Sequence, residues 1–312
     1  MNELEVRELR YFIAVAEELN FSRAAGRLGM AQPPLSKAIA QMESRLGVRL
    51  LERTTRQVSL TNAGLVLLDQ ARIAVDAVHA AARRARRAGQ PTPRLVVAVK
   101  PAGDAGLLRE ILAAYREAGS HLPPPEVVVG GSGEPVAMLR DGRADVALLR
   151  SPFDGQGLDS ETLVVEPRLA VLPAGHRLAG RRRLRPADLE GEPIPRWKGA
   201  APSATAYDGR EAGDGPTGAA PADPPEGPLV SGVEQLLEVV ALGQAVAFLA
   251  RSTTERHQRP DVVYRPVTGL SPSAVMVAWP ETSRSAAVAA FVQAAHDVAA
   301  HHPDHMTGLA GY

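Results

Sequence analysis

The 312-residue sequence predicts a mixed fold: a helix-rich N-terminal head of the winged helix-turn-helix kind, a long linker helix, and an α/β body. Three observations predict it. Short amphipathic patterns punctuated by glycine and proline fill the first 47 residues. One uninterrupted helical pattern then runs from Thr61 to about Ala88. From Leu95 onward, short β-branched runs alternate with helical segments, the pattern of an α/β sheet.

In the head, Leu9, Phe12, Ile13, Val15 and Ala16 recur at helical spacing and predict a first helix from about Glu5 to Glu18. Asn20-Phe21-Ser22 interrupts it, and Ser22 is suited to cap a second helix over Arg23–Leu28. Gly29 stands where a left-handed C-cap belongs. The stretch Gln32-Pro33-Pro34 then opens a third helix through Arg45, ended by Gly47, because proline is tolerated only in a helix's first turn. Two short helices joined by a glycine-containing turn predict a helix-turn-helix. Ala24 and Ala25 allow close crossing, and Leu28, Leu35 and Ile39 fill the shared core.

The other face of the third helix presents Gln32, Ser36, Lys37 and Gln41. Glutamine pairs with adenine in two places, serine adapts to several base edges, and lysine reaches guanine or phosphate. The firm helix start would bring these residues to the base edges of double-stranded DNA. Next, Val58 and Leu60 alternate behind the polar tip Arg53-Thr54-Thr55-Arg56, which predicts a hairpin wing whose Arg53 and Arg56 touch phosphate or a minor groove.

The run LRYFIAVAEELNFSRAAGRLGMAQPPLSKAIAQMESRLGVRLLERTTRQVSLTNAG, Leu9 to Gly64, resembles the N-terminal domain of LysR-type transcriptional regulators. The resemblance implies that Gln32, Pro33, Ser36 and Lys37 occupy DNA-reading positions and Arg53 the wing contact. Two departures stand out. Ala31 replaces a common capping Ser or Thr, worth on the order of 1 kcal/mol. Asn62-Ala63-Gly64 follows Thr61 where a Glu is usual.

Thr61 is suited to cap the long helix, which Gly89 and Pro91 end; at 1.5 Å per residue it would extend roughly 40 Å. Its Leu65, Leu68, Val75, Val78 and Ala82 are spaced nearly as a coiled-coil seam, and it resembles the family's dimerising linker. Arg83, Arg84, Arg86 and Arg87 suit the dipole at its C-terminal end.

In the body, strands at Leu95–Val99, Val127–Val129 and Ala144–Leu149 alternate with helices at Gly106–Ala118 and Pro135–Asp141, predicting a parallel sheet. EPRLAVLPAGHRLAG, LRPADLEGEPIPRW and VEQLLEVVALGQAVAFLARS resemble the family's effector-binding domain. That resemblance implies two lobes of the type 2 periplasmic-binding-protein kind. The expected units are a DNA-binding domain at 1–60, a linker helix at 61–89, lobe one at 94–166 with 268–300, and lobe two at 167–267. Residues 199–228, rich in Ala, Gly, Pro and Asp, are expected to form a disordered insertion.

A ligand would sit between the lobes at strand C-terminal ends. Candidate effector-binding positions are Lys100, Pro101 and Ala102, then Gly130, Gly131 and Ser132, Arg150 with Ser151, and Trp197 with Lys198. The family often has Ser or Thr near Lys100. A lysine there favours an anionic effector, or simply pairs with an acid such as Asp104. The GGSGEP segment at 130–135 lacks the Gly-Lys-Ser/Thr ending of a phosphate loop and is expected to be a strand-to-helix turn. The histidines of HHPDHM, His301, His302 and His305, are expected in a polar terminus.

Composition bounds the function. There is no cysteine, which excludes a disulfide scaffold, thiolate metal sites and a cysteine nucleophile. No catalytic triad, metal cluster or nucleotide loop stands out, so no enzyme activity, metal or cofactor is expected. The apolar run from Val239 to Ala250, about 12 residues, is shorter than a bilayer span. Glu3, Glu5 and Glu8 suit no secretory signal. A cytoplasmic, nucleoid-associated protein without a membrane partner is expected. Net charge is zero, yet residues 1–90 carry 14 Lys+Arg against 9 Asp+Glu, a basic head on an acidic body. The expected function is a regulator that binds dyad-symmetric operator DNA as a homodimer or homotetramer under a small-molecule effector. The alternative is a ligand-independent regulator whose body only oligomerises.

Overall fold

A computed structural model describes residues 4–53, 58–198 and 225–302. The chain falls into two compact units, a head of the residues up to Gly89, with which Arg140–Gly142 group, and a body of the rest from Gln90 onward. Among the described residues no helix is long and apolar enough to cross a membrane.

The head packs α1 (Val6–Glu18), α2 (Phe21–Leu28) and α3 (Gln32–Leu46) around Phe12, Val15, Ala24, Leu35, Ile39 and Met42, all buried. Ala24 and Ala25 supply the close α1–α2–α3 crossing that their size predicts. The second helix begins two residues earlier than Arg23. Asn20, not Ser22, is its cap, and the Asn20 side chain accepts from the Arg23 amide at 3.0 Å. Both residues carry a capping oxygen, and Phe21 joins the helix because its ring packs on the head core. Gly29 and Gly47 adopt φ of +67° and +70° and end α2 and α3. Ala31 gives α3 no side-chain cap.

Strands β1 (Leu51–Arg53) and β2 (Val58–Leu60) pair antiparallel, Leu51 opposite Leu60. Thr61 then caps α4 (Asn62–Ala88), accepting from the Gly64 amide at 3.0 Å and donating to the Arg49 carbonyl at 2.8 Å. The expected single seam on α4 divides. Leu68 and Val75, with Ala71, are buried with α1 residues such as Leu9. Leu65 and Val78 remain exposed, as do Val66 and Ile73. A 3-4 repeat names a stripe without naming its partner, and α1 takes part of it.

Ion pairs tie the helices together. Arg45 of α3 meets Glu8 of α1 at 2.6 Å, and Glu17 of α1 is shared between Arg27 of α2 at 2.7 Å and Arg72 of α4 at 2.8 Å. Burial pushes both carboxyls up, but their guanidinium partners outweigh it and hold them below the ordinary 4.5. A lowered carboxyl adds stability that is complete above about pH 4.5 and is lost as pH falls through the folded value. The resistance of the head to urea is therefore expected to fall below about pH 4.5. Glu17→Gln should flatten that decline while costing about 0.5–1 kcal/mol at neutral pH, a modest figure because its partners are half exposed. An acid limb as steep in the variant as in the wild type would refute the assignment.

In the body, β3 (Leu95–Val99), α5 (Leu108–Glu117), β4 (Pro125–Val129), α6 (Glu134–Arg140), β5 (Val146–Arg150) and β6 (Leu158–Glu166) come first. The chain continues through β7 (Arg168–Pro173), β8 (Ile194–Trp197), β9 (Glu226–Val230), α7 (Val233–Ala241), β10 (Ala247–Ala250), α8 (Arg251–Arg256), β11 (Val262–Pro266), β12 (Ser273–Pro280) and α9 (Ala286–Ala299). One sheet runs β4-β3-β5-β12-β6 and another β10-β7-β11, with β8 and β9 as a separate pair. The first sheet is not wholly parallel as expected. β3, β4 and β5 are parallel, whereas β12 runs antiparallel to both β5 and β6. The late return of β12 from residue 273 sets that direction. Ile111 and Tyr115 of α5 meet Phe291 of α9 over this sheet, with the Tyr115 and Phe291 rings 5.9 Å apart.

The expected disordered insertion needs a correction at its end. Residues 199–224 lie outside the described residues, but Glu226, Gly227 and Pro228 belong to β9, parallel to β8. A β-carbon on Gly227 would lie 2.6 Å from the Ile194 carbonyl oxygen, so glycine serves close backbone approach there. Arg56 and His305 also lie outside the described residues.

Candidate DNA interface and ligand cleft

The sequence of α3 places its polar residues on one face. Leu35, Ile39 and Met42 are fully buried, and the helix therefore turns Gln32, Pro33, Lys37 and Gln41 outward, with Ser36 half-buried among them. Ala40 and Ser44 share this exposed face and were not singled out by residue type. An alanine there can meet a thymine methyl, a contact with no polar signature.

The wing is anchored to the same helix. The Glu43 carboxylate of α3 accepts from the amides of Leu50 and Leu51 at 2.8 and 3.1 Å. The Thr61 amide donates to the Leu50 carbonyl at 3.0 Å. Arg53 pairs through its backbone with Val58 at the last register step of the hairpin. α3, the wing and the start of α4 thus share one hydrogen-bonded junction.

In the body, Val99 lies beside both Val129 and Leu148, so β3 and β4 end together and β5 runs two residues further, to Arg150. The Gly130 amide donates to the Val99 carbonyl at 2.9 Å and brings the Gly130–Ser132 turn next to Lys100. That turn leads into α6, with the Gly131 amide on the Glu134 carboxylate at 2.7 Å, as expected of GGSGEP. The Ser132 hydroxyl oxygen is buried and lacks a hydrogen-bond partner among the described residues. Lys100 starts a tight turn: its carbonyl accepts from the Gly103 amide at 2.9 Å, with Pro101 second and Ala102 third at φ +56°. Ala102 pays for a left-handed backbone that glycine adopts freely. Ala102→Gly is expected to raise the urea midpoint of the body, a gain of about 0.5 kcal/mol. A lower midpoint would contradict the strain.

The Lys100 ammonium lies over the Trp197 ring, 4.2 Å from its centroid, joining the end of β3 to the end of β8. Its expected alternative partner is taken: Asp104 pairs with Arg256 at 3.1 Å and accepts from the Leu108 amide at 3.3 Å. Burial, with the Arg150 guanidinium nearby, brings the Lys100 ammonium down to about 8.

Arg150 is committed elsewhere than to an open cleft. Its guanidinium donates to Glu166 at 2.7 Å, Ser273 at 3.1 Å and Ser252 at 2.8 Å. Glu166, only 1% exposed, also accepts from the Ser252 amide at 2.6 Å and hydroxyl at 2.7 Å. The Ser151 carbonyl accepts from Arg168 at 2.9 Å, and the Ser151 hydroxyl from the Ala274 amide at 2.9 Å. Glu166 ends β6 and Ser273 begins β12, so this cluster sits where the chain passes between the two sheets. Sequence reasoning missed Glu166, Ser252 and Ser273. The one available signal was an acid closing the apolar run Leu163-Val164-Val165.

A winged helix-turn-helix followed by a long helix and an α/β body of two sheets defines a class of one-chain transcriptional regulator. The model described as "Bacterial regulatory helix-turn-helix protein, lysR family" matches residues 6–65, and that of the LysR substrate binding domain matches residues 88–300. The Hca operon transcriptional activator HcaR of Escherichia coli is 30% identical over 303 residues, 93% of this chain and 96% of its own. The regulator ShiR of Corynebacterium glutamicum is 40% identical over 57% of this chain and 60% of its own. Two solved structures share the fold: the LysR family regulator CbnR, at 22% identity and TM-score 0.52, covering 95% of this chain and 99% of its own, and full-length BenM, at 24% and 0.51, covering 95% and 97%. The chain belongs to the LysR family of transcriptional regulators, which bind DNA and are not enzymes.

Proposed function

We propose that this regulator binds dyad-symmetric operator DNA as a homodimer or a dimer of dimers, and that an anionic small-molecule effector in the body cleft modulates it. Lobe one at 94–166 with 268–300 and lobe two at 167–267 would flank that cleft, and the DNA target implies a cytoplasmic, nucleoid-associated protein. Gln32, Pro33, Ser36, Lys37 and Gln41 would read the operator, with Arg53 and Arg56 on the backbone. Exposed Leu65, Val66, Ile73 and Val78 on α4 support self-association, since one helix leaves four large apolar side chains uncovered.

The observation that carries the effector reading is Lys100, a cation at converging strand ends with no acid bonded to it among the described residues. The buried Ser132 hydroxyl, without a hydrogen-bond partner among the described residues, adds a neutral donor on the turn that follows β4. This favours the effector reading over a body that only oligomerises. Lys100, Pro101, Ala102, Gly131, Ser132 and Trp197 would line the site, while Arg150 would set the geometry between the sheets. An effector shifts the equilibrium only if it binds one arrangement of the body better than another.

Hydroxyl-radical footprinting with sedimentation of the complex tests the assembly. Two protected half-sites related by a dyad, about one helical turn or a multiple apart, are expected. A single protected half-site with one protomer bound would overturn it.

A further inference from the structure

The chain has 32 arginines and only three lysines, Lys37, Lys100 and Lys198. Where a fixed positive charge suffices, this protein uses arginine. Lysine differs in that its amine can lose the proton and become a nucleophile. Lys37 and Lys198 are exposed, whereas Lys100 is half-buried directly after the end of β3, over the Trp197 ring.

We propose that Lys100 captures carbonyl compounds: its amine condenses reversibly with a small aldehyde or 2-oxo acid in the cleft, forming an imine. The proposal rests on the reading of this cleft as a ligand site and goes one step further, to a covalent bond. The nitrogen lone pair adds to the carbonyl carbon and gives a carbinolamine. One amine proton passes to the oxygen as the carbinolamine forms; the C–O bond then breaks and the hydroxyl leaves as water with the second proton from nitrogen, so that C=N replaces C=O. The step is redox-neutral, needs no co-reactant, and is reversed by water.

The surroundings of Lys100 suit this chemistry. Trp197 offers an apolar face at 4.2 Å and no counter-charge. Arg150 on β5 adds a second positive charge, the arrangement that favours a free amine. The acids that could restore the ammonium are bonded to others. Asp104 holds Arg256 at 3.1 Å, and Glu166 holds Arg150 at 2.7 Å and the Ser252 amide at 2.6 Å. With the ammonium brought down to about 8, roughly a tenth of the protein carries a free amine at pH 7, on the order of 100-fold more than an ordinary lysine. The turn through Pro101 and Ala102 fixes the backbone from which the side chain extends.

The test uses the full-length protein, glyoxylate as the probe and cyanoborohydride to trap the imine, with peptide mapping by mass spectrometry. A carboxymethyl adduct is expected on Lys100 at about tenfold or more the level on Lys37 or Lys198. Lys100→Arg keeps the charge and should remove that adduct alone. Equal labelling of the three lysines, or none at Lys100, would overturn the proposal. Glycolate, an anion that carries no aldehyde or keto group, separates the two readings in a thermal-shift assay. Protection by glycolate and glyoxylate alike, without a Lys100 adduct, overturns the imine and leaves the anion cleft standing. No adduct and no protection by either anion overturns the imine and removes the support for both readings.

Discussion

Gly64→Ala is expected to lower the stability of the head by about 3 kcal/mol and to abolish operator binding at concentrations that saturate the wild type. A β-carbon at Gly64 would stand 2.1 Å from the Leu50 carbonyl oxygen and 3.0 Å from the Leu60 side chain. Neither α4 nor β1 can absorb that overlap by turning a side chain, because the nearest atom is backbone. The two elements must separate. Separation strains the Thr61 amide bond to Leu50 and the Thr61 hydroxyl bonds to Arg49 and Leu50, each worth about 1 kcal/mol. The Glu43 bonds to the wing amides share the same junction. In a head of this size the loss corresponds to a fall of roughly 10–20 °C in its melting transition. Calorimetry of the full chain checks it. A fall under about 3 °C would show that the junction yields easily.

Lys37→Ala is expected to weaken operator binding by about 10- to 100-fold while leaving the fold intact, because Lys37 is exposed and supports no core residue. The salt dependence says what Lys37 touches. If it meets a phosphate, the variant loses affinity evenly across sequences, and its log–log salt slope becomes shallower by about 0.9. If it meets a base edge, the slope is retained and the operator's advantage over random DNA narrows. Unchanged affinity and slope would remove Lys37 from the interface.

The head was legible because its instructions are local. Pro33-Pro34 can only open a helix, Gly29 and Gly47 take the left-handed backbone that ends one, and Thr61 caps the next. Where two local signals competed, at Asn20 and Ser22, the packing of Phe21 decided, and that is a tertiary fact. The partner of the α4 stripe was hidden for the same reason: Leu68 and Val75 face α1, some sixty residues earlier.

In the body the strands were legible and their directions were not. The antiparallel return of β12 beside β5 joins residues more than a hundred positions apart. The proposed cleft shows the same limit. Its loops could be placed after strands, but the Lys100–Trp197 contact, the Asp104–Arg256 pair and the Arg150–Glu166–Ser252–Ser273 cluster are long-range meetings that no spacing rule encodes. Arg150 illustrates the cost: by position it reads as a ligand contact, and by its bonds it braces the passage between the sheets.

On the proposed reading, the exposed face of α3 recognises a specific DNA sequence. Fluorescence anisotropy of the full-length protein on DNA from upstream of its own gene, against random DNA of equal length across a salt series, tests it most directly. Selective binding to the upstream DNA is expected, at least about 1,000-fold tighter than to random DNA and steeply weakened by salt, with Ser36→Ala narrowing the difference. Selective binding that survives Gln32→Ala, Ser36→Ala and Lys37→Ala together, with its preference intact, would contradict it.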